Sequence, residues 1–187
     1  MKRSLFVALT ALFGLSAGAA NAAGEAAPAA EHGGKVYQRC AACHLPTGAG
    51  VPGAFPRLAG RINQAATGDG GRDYLVMVVS KGLVGEIEID GRKYRGVMPA
   101  QAGLTDEDIA AVLNYAMALK TPGEAAPAAA MEPAKPFTKE EVAEIRARHA
   151  EANPGLVHSF RAGVFDVPLP EKPAADSAVS PSSESNK

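Results

Sequence analysis

Cys40-Ala41-Ala42-Cys43-His44 decides how this chain is read. Two thiols stand three residues apart with an imidazole directly after them, so one helical turn presents all three together. That spacing lets two thiols add across the two vinyl groups on one edge of a haem while the imidazole reaches its iron. The rival readings of a C-x-x-C pair fail on counting. The chain has 2 cysteines, so no second pair completes a four-ligand zinc site. No βαβ pattern surrounds the motif, as a thioredoxin-like redox disulfide would require. The expectation is one covalent haem c, attached through Cys40 and Cys43, with His44 on the iron.

The compartment agrees with that chemistry. Residues 1–22 read as a secretory leader: Lys2 and Arg3, an apolar run from Leu5 to Leu15, then Ala20-Asn21-Ala22. The apolar run is shorter than the roughly 20 residues that cross a bilayer. No Arg-Arg pair marks export in the folded state, which suits Sec-type export with haem attached afterwards to an unfolded chain. The expected location is the periplasm, with no integral membrane segment once the leader is cleaved. Thiols tied to haem leave no disulfide to staple the fold.

Without the leader 165 of the 187 residues remain, enough for one domain and an extension. Of 19 Lys+Arg, Lys2 and Arg3 leave with the leader, so the rest face 20 Asp+Glu and the net charge is −3. That balance excludes a polyanion binder, and no nucleic-acid motif is present. Trp is absent and aromatic content is 5%, so a core of about 90 residues would be thin without a buried haem.

The rest of the chain divides by its punctuation. Residues 23–31 are rich in Ala, Glu and Pro and read as a disordered linker, with a helix running from about Gly34 into the cysteine motif. Gly and Pro forbid regular structure from Leu45 to Gly60, and 61–71 read as a polar surface loop. A helix is expected over Arg72–Lys81, closed by Gly82. From Glu86 to Tyr94 polar and apolar residues alternate about Asp90-Gly91, the signature of a tight hairpin. Asp106–Leu119 is the clearest helix, with Thr105 as N-cap and Asp108 in the capping-box position. An Ala/Pro linker covers 123–136. Phe137, Thr138 and Glu141 then open another helix, and Leu156–Val167 is a further amphipathic stretch. The remaining 168–187 are Pro/Ser-rich and read as disordered.

Residues 32–122 resemble a monohaem class I cytochrome c, of the kind that serves periplasmic dehydrogenases and respiratory oxidases. Beyond the cysteine motif, the resemblance rests on Pro56-Arg57-Leu58-Ala59-Gly60, which matches the family's Pro-x-Leu-x-Gly turn. Met98-Pro99 enters from a loop, and Asp108-Ile-Ala-Ala-Val-Leu-Asn-Tyr115 has the style of the family's last helix. Gly33 and Tyr37 match the Gly-x-x-x-aromatic pattern of its first helix. The resemblance implies an all-α class I cytochrome c fold around one haem, with a short β-hairpin before the methionine loop. A partly helical extension at 137–167 lies outside it. It also implies that the carbonyl of Pro56 holds His44 Nδ1.

The second iron ligand is expected to be Met98, whose loop beside Pro99 can offer its sulfur. Met77 and Met117 lie within helices, where methionine is more often core filler. His32, His149 and His158 read as surface residues. Tyr74, Tyr94, Arg57 and Arg92 are candidates to bond the propionates. Arg92, Lys93 and Arg95 would make the haem rim basic and suit an acidic redox partner. With both axial positions filled the iron can only pass electrons, so the expectation is an electron-transfer protein rather than an enzyme. It would accept electrons from a dehydrogenase and pass them towards a respiratory acceptor. The alternative is an open-site haem sensor or peroxidase-like enzyme. The apolar groups of 137–167 are too many to leave exposed. They either wrap a partner as a docking arm, the favoured reading, or pack back on the cytochrome domain.

Overall fold

The computed structural model describes residues 21–120 and 133–165. Almost all of the leader expected at 1–22, most of the 123–136 linker and the whole 168–187 segment lie outside the described residues. Among the described residues six helices and four short strands follow in order. They are α1 (Asn21–His44), α2 (Arg61–Thr67), α3 (Gly71–Lys81), β1 (Leu83–Val84), β2 (Ile87–Ile89), β3 (Arg92–Tyr94), β4 (Val97–Met98), α4 (Asp106–Ala118), α5 (Lys139–Arg148) and α6 (Pro154–Phe160).

The frame is the crossing of α1 and α4. Gly33 makes it possible: a Cβ there would lie 2.4 Å from the carbonyl oxygen of Ala111, so only glycine lets the two backbones meet. One turn on, Tyr37 is buried and packs its ring on Tyr115 at 5.2 Å between centroids, while its hydroxyl donates to Leu45 O at 3.0 Å. The start of α4 follows its sequence: Thr105 Oγ1 accepts from Asp108 N, and Asp108 accepts from Thr105 N. His32 Nε2 lies 2.9 Å from a carboxylate oxygen of Asp108.

Two expectations of irregular backbone are corrected. Residues 23–31, read as a disordered linker, belong to α1. Alanine is the best helix former, and lengthening an existing helix needs no new nucleus, so the run continues even through Pro28. Residues 61–67, read as loop, form α2. Its apolar face is only Ile62, Ala65 and Ala66, and the polar side chains that disguised it are buried too: Arg61 donates to Gln64 Oε1 at 2.7 Å.

The hairpin forms as expected. Ile87 pairs with Tyr94 and Ile89 with Arg92, and Asp90 and Gly91 turn with φ of 54° and 68°. Both angles are left-handed, the requirement of the two-residue turn that matches strand twist. Outside it β1 pairs with β4, Leu83 opposite Met98.

Residues 133–165 do not extend as a docking arm; they fold back and complete the core. Val142, Val157 and Val164 have 0% exposure, Ile145 has 2% and Phe137 has 3%. Asn114 of α4 holds the backbone of Phe137 from both sides, donating to its carbonyl at 2.9 Å and accepting from its N–H at 2.7 Å. Arg72 stacks on the Phe137 ring at 3.8 Å and grips Glu141 with two bonds of 2.5 and 2.6 Å. The apolar stripe of α5 is narrow, yet it suits the surface that α3 and α4 leave open. A tethered segment meets such a surface at high effective concentration, which favours the intramolecular contact.

Candidate haem site

The last turn of α1 carries Cys40, Cys43 and His44, at i, i+3 and i+4, so all three project from one side of the helix end. They line a cleft of ≈ 170 Å³. Phe55 and Pro56 line it too, as do Leu83, Ile87 and Tyr94 from the strand region and Met98 and Pro99 from the loop beyond. The lining is mostly apolar carbon.

His44 is buried, and its Nδ1 lies 2.8 Å from the carbonyl oxygen of Pro56. A carbonyl only accepts, so Nδ1 carries the proton and Nε2 keeps its lone pair. Burial lowers the imidazole's pKa, and the Pro56 bond opposes this in part. The ring is therefore a neutral donor, the form that ligates a metal, with its orientation fixed by that bond. Burial pushes the Cys40 thiol up from its ordinary value, against a smaller pull from the Arg39 charge.

Met98 lines the same cleft. It ends β4, is half-buried, and is held by the pairing with Leu83. Beyond it Pro99 stiffens the chain, and Gln101 N donates to Val79 O at 2.9 Å. Cys40, Cys43, His44, Pro56 and Met98 thus meet at one cleft.

The propionate candidates separate. Tyr94 lines the cleft, whereas Tyr74 is buried on α3 with its ring edge-on to Phe165 at 6.1 Å. Arg57 bonds Asp90 at 3.2 Å, and Arg92 is exposed on β3. Sequence reasoning missed Arg61, which is buried and pairs with Asp90 at 3.1 Å, because its helix was read as loop. It missed Arg39 at the cleft margin as well. The basic rim is weaker than its sequence suggested. Glu86 binds Lys93 at 2.8 Å and also Arg95, and these two bonds depress its own pKa. Apolar Val97, 70% exposed, and Phe55, 40% exposed, share the mouth.

Two thiols, one neutral imidazole, one thioether and an apolar cavity are the set a covalently attached haem requires, so the residues present fit that group. Comparison with known proteins points the same way. The family model described as Cytochrome c matches residues 30–120. A cytochrome c-552 of Thermus thermophilus is 47% identical over 116 residues, which is 62% of this chain and 85% of the relative. A second cytochrome c-552, from a particular strain of the same species, has the same identity over 116 residues and is covered for 75% of its length.

Proposed function

The chain belongs to the cytochrome c family, an electron-transfer protein with covalent haem c, and on that premise we propose that it is an exported carrier whose iron is held by His44 and Met98. The observation that supports this reading best is that both candidate ligands line one cleft. His44 is locked in one tautomer by Pro56, and Met98 lines the same cleft from a strand paired to Leu83. When bound, the haem supplies a metal that changes oxidation state by one electron.

The residues contribute attachment, ligation and exclusion of water. Cys40 and Cys43 would tie a haem to α1, so that it could not dissociate. His44 Nε2 would supply one donor, and the thioether of Met98 the second. Leu83, Ile87 and Tyr94 keep the surroundings apolar, which disfavours the more highly charged oxidised state and raises the potential. No carboxylate and no second histidine lines the cleft among the described residues, so an open-site peroxidase-like or sensor reading lacks its acid–base pair.

The leader-like residues 1–22 support export to the periplasm, where the carrier would accept electrons from a dehydrogenase and pass them towards a respiratory acceptor. No helix among the described residues is long and apolar enough to cross a membrane. Contact with partners would be brief and centred on the cleft mouth, with Val97 and Phe55 supplying apolar area and Arg39 charge. The test is a reductive titration of protein matured in a periplasm, with the mass of the intact chain. One reversible electron per chain and the added mass of one haem, lost on Cys40→Ser with Cys43→Ser, support the reading. A chain of unmodified mass, or one that turns over peroxide rapidly, contradicts it.

A further inference from the structure

We propose that α6 sets the position of Met98, with His158 as the positioning residue; the proposal rests on Met98 being the second iron ligand. The β1–β4 ladder that carries Met98 has two residue pairs, Leu83 with Met98 and Val84 with Val97. A ladder that short does not hold itself and takes its geometry from whatever packs on it. What packs on it is α6.

His158 Nε2 donates to the carbonyl of Glu86 at 2.8 Å, and Arg161 donates to the carbonyl of Glu88 at 2.7 Å. Between β1 and β2 the chain passes through Gly85, with φ of +113°. A Cβ on Gly85 would lie 2.8 Å from Cδ2 and 3.0 Å from Nε2 of His158, so the imidazole rests directly on that backbone. Gly85 and Leu83 also line the haem cleft. The Gly85 backbone thus touches both the imidazole and the cleft, and a displacement of the ring moves the strand paired with Met98.

The helix itself is fixed. Asn153 caps its start by accepting from Leu156 N at 3.0 Å. Val157 and Val164 are fully buried. Phe160 packs on His149 with ring centroids 4.8 Å apart. A rigid support of this kind transmits position through packed contacts rather than absorbing it. The C-terminal segment thereby acts on the chemistry of the site, not only on the stability of the fold.

The test uses the full haem-loaded chain in its oxidised form, titrated with imidazole, which takes the iron position when the methionine sulfur leaves. His158→Ala should tighten apparent imidazole binding by roughly three- to tenfold, the factor that corresponds to one lost hydrogen bond. It should also weaken the red absorption band of iron–sulfur ligation. His158→Gln keeps an N–H donor and should restore most of the unsubstituted behaviour. Ile145→Ala lowers stability without touching residues 83–88, and should leave the imidazole affinity unchanged. If His158→Ala fails to accumulate, Arg161→Gln, which disturbs the bond to Glu88, carries the same expectation. Equal shifts in His158→Ala and Ile145→Ala, or none in the former, overturn the proposal while the red band of the unsubstituted protein keeps Met98 in place. Absence of that band from the unsubstituted protein overturns the Met98 reading and this proposal with it.

Discussion

Ile145→Ala asks whether the tail is part of the core. The side chain is 2% exposed, on the face of α5 that carries Val142. Truncation removes three carbons, and at about 0.8 kcal/mol for each buried methylene the transfer loss alone is about 2.4 kcal/mol. The cavity left behind adds to this, and buried Ile→Ala changes fall at roughly 2–5 kcal/mol. For a chain of this size each kcal/mol moves the midpoint by about 2–4 °C, so thermal unfolding should shift down by roughly 5–15 °C. Far-ultraviolet circular dichroism of the haem-loaded protein reads the midpoint, and the visible spectrum should stay unchanged. A shift below about 1 °C, the scale of a surface substitution, would mean that α5 contributes nothing to the fold. The reading of an integrated tail would then be wrong.

Other consequences can be checked with equally simple means. Gly33→Ala places a Cβ 2.4 Å from Ala111 O and forces α1 and α4 apart; denaturant unfolding should show a loss of about 1–3 kcal/mol or more. The Arg72 bonds hold Glu141 below the usual carboxylate value of 4.5, against a smaller opposing effect of burial. Its contribution is therefore complete above that value and lost as pH falls through the depressed folded value. The stability gap between the unsubstituted protein and Glu141→Gln should be widest near neutrality and close in acid, and a gap that widens in acid would reverse the argument. Glu86→Gln frees Lys93 and Arg95, which flank the cleft-lining Tyr94 in the chain, so oxidation of the reduced protein by the anion ferricyanide should speed up at low salt. The advantage should vanish once about 1 M salt shrinks the screening length to about 3 Å, and rates that never differ would show that this edge is remote from the electron's path.

What the sequence revealed, and what it hid, follows from how local each signal is. Cys40, Cys43 and His44 announce their chemistry because three donors on one turn need no tertiary information. The Asp90-Gly91 turn and the Thr105–Asp108 box are likewise settled within a few residues, and both appear as read. The helix Arg61–Thr67 was hidden because its buried faces include Arg61 and Gln64, which pair with each other and defeat a hydrophobic pattern. The Ala-rich start of α1 was mistaken for disorder because composition cannot tell whether a helix already exists downstream to extend. The tail was misassigned for a third reason. Val142, Ile145 and Val157 announce that a surface must cover them, but whether that surface is α3 and α4 or another protein is decided by shape, which one-dimensional pattern does not carry. Tyr74 and Tyr94 were equal candidates by residue type, and only the fold puts one at the cleft and the other against Phe165.

The most direct test of the central claim is the oxidised visible spectrum of the periplasmically matured protein beside that of Met98→Ala. The account predicts a weak red band of iron–sulfur ligation in the former, absent in the latter, with covalent haem in both because Cys40 and Cys43 are untouched. A red band that survives Met98→Ala, or its absence from the unsubstituted protein, would contradict the assignment of Met98 and reopen the site to exogenous ligands.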